Sequence, residues 1–182
     1  MKYYIVALFD LDSYKNIEPV QRNLLRRYKL PKNQLTLHIP LETVDNPNLE
    51  KLDEIILKMI KPYKKFKVEL TGNISYGESF NRFVKLNIEN KGYIKKIHRS
   101  LNDMLKLHGF NIKETVDSPL FIPICHINNN FKDPKKNCLT PTTIPVKPTL
   151  RRNSLKICKI ELWKLSNNRR ETIVKSYELK NY

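Results

Sequence analysis

The order of elements in this 182-residue chain predicts an α+β fold built on antiparallel strands. Three observations carry that expectation. Short segments alternate apolar and polar residues, the period of a half-buried strand. Three longer segments repeat apolar residues at helical spacing. The two kinds follow one another as β-α-β-α-β-β-α-β-(loop)-β-β, without the regular alternation of a doubly wound parallel sheet. The length suits one domain over 1–182 and suffices for a sizeable core.

Tyr3–Leu11 is expected as the first strand. Asp12 or Ser13 then begins a loop or cap, and a helix covers Ile17–Tyr28, with Pro19 in its first turn and Val20, Leu24 and Leu25 as its stripe. Leu30-Pro31-Lys32-Asn33 reads as a turn. In the second strand, Gln34–Val44, Leu35, Leu37, Ile39 and Leu41 alternate with Thr36, His38, Pro40 and Glu42. One face is therefore apolar and the other carries the histidine. Asp45-Asn46-Pro47 is expected to cap a helix from Pro47 to Ile60, with Leu49, Leu52, Ile55, Ile56, Met59 and Ile60 as its buried stripe.

Lys65–Ile74 and Phe80–Ile88 read as strands around a Tyr76-Gly77 turn. Gly92–His108 carries the clearest helical stripe, Ile94, Ile97, Leu101, Met104 and Leu105, and Gly109 stops it. Leu120–Asn128 is a strand. Residues 131–150 are rich in Lys, Thr and Pro and read as a loop, long enough to suggest a functional role. Ser154–Leu165 and Glu171–Leu179 close the chain as a hairpin.

Composition narrows the function classes. With 4 glycines and no G-x-G-x-x-G or G-x-x-x-x-G-K-[ST], Rossmann or P-loop nucleotide binding is not expected. The net charge of +16 favours polyanionic partners, nucleic acid first. Cys125, Cys138 and Cys158 form no C-x-x-C, so neither a disulfide framework nor a zinc knuckle is indicated, and a reducing, cytoplasmic setting is the simple reading. The apolar run after Met1 ends at Asp10 and reads as a strand rather than a signal peptide. No segment reaches the length of a membrane span.

The candidate chemistry rests on two similar strands. One reads Leu35-Thr36-Leu37-His38-Ile39-Pro40-Leu41 and the other Ile122-Pro123-Ile124-Cys125-His126-Ile127-Asn128. Each ends its apolar run in His followed by Ile. Imidazole titrates near 6.5, so at neutral pH one ring can take a proton while its partner gives one. No cofactor or metal is needed for such acid–base work. A direct Cys125–His126 dyad is not expected, because neighbouring residues on a strand point to opposite faces.

This pattern resembles the two-histidine phosphoesterase superfamily, which includes the bacterial 2′,3′-cyclic phosphodiesterases also called 2′-5′ RNA ligases. The signature there is two His-x-Thr/Ser motifs about half a chain apart, each on a strand that follows a helix. The resemblance spans nearly the whole chain, including the closing hairpin around Ile160-Glu161-Leu162-Trp163. It implies two pseudo-symmetric lobes of antiparallel sheet, helices outside, and a central cleft. It also implies His38 and His126 as catalytic residues acting on RNA-like phosphoesters.

The hydroxyl positions are occupied by Pro40 and Asn128. Pro40 has no N–H donor, whereas the amide of Asn128 can still donate. Alternation on the Phe80–Ile88 strand would place Phe83 and Lys85 on the histidine side, to stack on a base and to meet phosphate. Lys132, just after the second motif, is a further candidate polyanion contact. An alternative function is an RNA- or nucleotide-binding module that keeps the cleft and has lost turnover.

Overall fold

The computed structural model describes residues 1–27, 35–76, 83–112, 119–126, 144–145, 154–166 and 171–181. Within these, eight strands and three helices follow in order: β1 (Lys2–Phe9), α1 (Leu11–Arg27), β2 (Ile39–Asp45), α2 (Leu49–Ile60), β3 (Phe66–Tyr76), β4 (Phe83–Ile88), α3 (Gly92–Leu107), β5 (Phe121–His126), β6 (Ile144–Pro145), β7 (Ser154–Leu165) and β8 (Glu171–Glu178). The fold is α+β. The sheet runs β2-β1-β7-β3-β4-β5, with β8 added to β7 and β6 to β3. All of its ladders are antiparallel.

One face of the sheet is the main core. Ile5, Ala7 and Phe9 of β1, Val68 and Leu70 of β3, Leu86 of β4, Ile122 of β5 and Ile160 of β7 all contribute to it. Against them lie the stripes of α2 (Leu52, Ile55, Ile56, Met59) and α3 (Ile94, Ile97, Leu101, Leu105). Each such aliphatic side chain contributes roughly 1.5–3 kcal/mol by leaving water. The alternate positions of β1 and β7 form a second, smaller cluster on the opposite face. It consists of Val6, Leu8 and Trp163, with Tyr4 and Tyr14 packed against it.

The helix ends show why the elements stop where they do. Asn48, not the Asp45–Pro47 segment, caps α2, its side chain accepting from the Lys51 N–H at 3.1 Å. Past α3, Gly109 sits at φ 76°, a conformation that glycine adopts without steric cost. There the Gly109 N–H reaches the Lys106 carbonyl and the Phe110 N–H reaches that of Leu105, the paired bonds of a Schellman motif.

Five further expectations need correction. Helix α1 begins at Leu11 rather than Ile17, because Asp10 accepts the Ser13 N–H at 2.9 Å and serves as its cap. Pro19 therefore lies inside the helix, at the cost of one backbone bond. Strand β2 begins at Ile39, so His38 precedes the ladder instead of lying within it. The supposed loop at 131–150 contains a short strand, β6, paired with Asn73 and Ile74 of β3. Leu49 does not join the buried stripe of α2: it opens the helix at 39% exposure. Finally, β5 carries a bulge at Ile124, since Val84 pairs with Cys125 but Lys85 pairs with Pro123. The turn at Gly77 and the strand start at Phe80 lie outside the described residues.

Candidate active site

Residues 35–38 lead into β2, and side chains hold them there. Gln21 on α1 donates from Nε2 to the Leu35 carbonyl at 3.1 Å. Two turns earlier on the same helix, the Tyr14 hydroxyl donates to the Leu37 carbonyl at 2.8 Å. Between them, His38 Nδ1 lies 2.7 Å from the Thr36 carbonyl. A carbonyl can only accept, so Nδ1 carries the proton and Nε2 carries the lone pair. Three successive carbonyls are thus satisfied by side chains, which is why the sheet ladder starts only at Ile39.

The same Gln21 reaches further. Its Nε2 also donates to the Ile124 carbonyl of β5 at 2.9 Å, and its side chain is buried. One carboxamide therefore ties the segment that ends in His38 to the strand that ends in His126. His126 is the last residue of β5, its backbone paired with Phe83 at the start of β4.

His38 is more enclosed than a polar strand face implies, at 7% exposure. Its ring meets Trp163 of β7 edge-to-face, with centroids 4.7 Å apart and planes at 63°. Burial lowers its pKa to about 4, against a weaker opposing pull from the Thr36 hydrogen bond. At neutral pH the ring is therefore neutral and fixed in one tautomer.

Trp163 is itself held. Its indole N–H donates to Glu161 Oε2 at 2.6 Å. The buried carboxylate also accepts from Lys159 Nζ at 2.7 Å and from the Ser176 hydroxyl at 3.3 Å. A buried charge with three donors is compensated; an uncompensated one would cost several kcal/mol. In sequence, Glu161 and Trp163 stand out only as part of the hairpin. Yet alternation in Ile160-Glu161-Leu162-Trp163, with Ile160 and Leu162 in the core, already places both on the histidine's face.

The other sequence candidates fall differently. Lys85 on β4 is half-buried, with its ammonium 4.3 Å from the centroid of the Phe121 ring, a cation–π contact. Phe83 is placed by its backbone opposite His126. Asn128 and Lys132 lie outside the described residues. Cys125 is fully buried beside Val84 in the core, and burial raises its thiol pKa to about 11, so it is no thiolate at neutral pH. His98 is buried in α3, where burial lowers its pKa. No cluster of three or more metal-ligating side chains occurs among the described residues. Nor is any described helix long and apolar enough to cross a membrane.

Element order and sheet order together define the class: the chain has the fold of the two-histidine phosphoesterases. Escherichia coli LigT, solved with NADP+, matches with a TM-score of 0.64 and 14% identity over 99% of this chain and 98% of that one. TT0787 of Thermus thermophilus matches with a TM-score of 0.63 and 14% identity over 100% and 99%. A structure described as a phosphoesterase matches with a TM-score of 0.61 and 13% identity over 99% and 98%. LigT has also been solved with 3′-AMP, ATP and phosphate. No family model matches the chain, and no curated protein does.

Proposed function

We propose that this protein is a two-histidine phosphoesterase acting, without metal, on 2′,3′-cyclic phosphate ends or 2′-5′ linkages of RNA or oligonucleotides. The reading takes 1–182 as a single domain working in the cytoplasm. The observation that carries it is His38: a neutral imidazole with its tautomer fixed by the Thr36 carbonyl. Its segment is fastened through Gln21 to the strand that ends in His126. The nucleotide and phosphate complexes of LigT support a nucleotide-type ligand.

In this reading His38 Nε2 is the base. It takes a proton from a water whose oxygen bonds to the cyclic phosphorus. One phosphorus–oxygen ester bond breaks, and His126, as imidazolium, protonates the departing ribose oxygen. The reverse direction exchanges the roles. Each transfer supplies roughly 10²–10⁴ in rate. Asn128 replaces a hydroxyl as phosphate donor, Lys85 and Lys132 balance charge, and Phe83 stacks on the base. The test is hydrolysis of 2′,3′-cyclic AMP in EDTA across pH. The expected result is a bell-shaped profile unaffected by the chelator; no turnover at any pH removes the catalytic reading.

One observation favours a second reading. Pro40, at the first motif's hydroxyl position, sits within β2 opposite Val6 and offers phosphate no donor. A non-hydrolysing nucleotide- or RNA-binding module would keep salt-sensitive binding and show no product.

A further inference from the structure

Lys67 of β3 and Lys156 of β7 stand directly opposite each other at the junction of the two halves of the sheet. Phe66 and Val68 flank Lys67, and Leu155 and Ile157 flank Lys156; all four belong to the main core. Strand alternation therefore sends both lysines to the opposite face, where Trp163 and His38 meet. Beyond the β7 bulge at Cys158, Lys159, Glu161 and Trp163 continue that face opposite Leu8, Val6 and Tyr4 of β1.

Directly opposed like charges destabilise an antiparallel pair. The nearby carboxylates do not relieve this one. Glu161 is engaged by Lys159, Trp163 and Ser176. Glu69 is held by Lys91 at 2.8 Å, and Asp10 forms no ion pair with either lysine. Among the described residues neither the Lys67 nor the Lys156 ammonium has an ion pair. From the sheet spacings, Lys156 lies roughly 15 Å from His38 along the surface, beyond the reach of a single phosphate bound at the histidine.

We propose that Lys67 and Lys156 form a second phosphate subsite, which binds the backbone of an oligonucleotide strand whose end lies at the histidines. This rests on the proposed function and places the backbone of its strand substrate on the sheet face beyond the histidines. An anion between the two ammoniums removes their repulsion and gains two charge-assisted contacts.

Lys67→Glu tests it, because the change replaces the like-charge pair by an opposite-charge pair. The variant is expected to melt at a higher temperature than wild type. Its kcat/KM should fall about tenfold on an oligoribonucleotide ending in a 2′,3′-cyclic phosphate and stay unchanged on 2′,3′-cyclic AMP. The Lys67→Gln, Lys156→Gln double variant should flatten the salt dependence of oligonucleotide affinity by about one to two in log–log slope. Equal losses on both substrates, or none on the oligonucleotide, overturn the subsite. If wild type turns over neither substrate, the catalytic reading fails alone. Affinity for the same oligonucleotide by fluorescence anisotropy then decides the subsite: lost in the double variant, it stands; unchanged, it falls.

Discussion

Gln21 Nε2 donates to the Ile124 carbonyl at 2.9 Å, across 103 positions of chain, while its other N–H holds Leu35. The two histidine-bearing segments therefore share one buried amide. Removing it leaves two carbonyls without that donor, at a buried contact on Ile124 and a half-buried one on Leu35. Gln21→Met keeps the length and apolar stem but donates nothing. It should lower unfolding free energy by about 2–4 kcal/mol, read as a shift of the urea midpoint. If the segments set the histidine separation, kcat falls more than KM rises. An unchanged midpoint would show that the amide holds nothing together.

His38 makes stability depend on pH in a defined direction. Its folded pKa, about 4, lies below the ordinary 6.5. Between those values the unfolded chain binds the extra proton and the folded one does not. Stability is thus fully present above about 6.5 and declines as pH falls toward 4, by about 3 kcal/mol at most from this group. Buried His98 acts in the same direction. Denaturant midpoints from pH 8 to pH 4.5 should fall in the wild type and fall less in His38→Phe. Equal slopes would contradict the assignment.

Trp163 bears on the same pKa, since its ring covers the imidazole. Trp163→Ala admits water to that side, so the pKa of His38 should rise toward 6.5, as measured by NMR titration of the ring protons. The acid limb of kcat/KM should move up with it. Trp163→Phe keeps most of the cover and should change the pKa less. A His38 titration unmoved by Trp163→Ala would assign the shift elsewhere.

Glu161 supports that contact from behind. Glu161→Leu would strand the indole N–H and free the Lys159 ammonium, at a cost of roughly 2–4 kcal/mol. Thermal melting checks this, and a neutral outcome would mean the carboxylate's desolvation cancels its three bonds.

Much of this architecture is legible in the sequence because it is periodic. The stripe of α3 and the hairpin pattern of β7 and β8 place those elements nearly to the residue. What escapes depends on contacts distant in sequence. Pro19 invites a late start for α1, but the Asp10 cap and the bond made by Tyr14 sustain the earlier turns. Alternation alone starts β2 too early, because the carbonyls of 35–37 bond to side chains rather than to a neighbouring strand. Residue type and pattern suffice to find His38. They do not reveal its enclosure, because the covering ring comes from β7. Gln21 has one visible signal: a polar residue between Ile17 and Leu24 on the buried stripe of α1.

The central claim is that His38 and His126 act as one acid–base pair. Its most direct test is kcat/KM for 2′,3′-cyclic AMP with wild type, His38→Ala, His126→Ala and the double variant, each confirmed folded. Each single change should cost roughly 10²–10⁴, and the double should cost little more, as expected of groups that work as a unit. A single variant that retains the wild-type rate would contradict the pair.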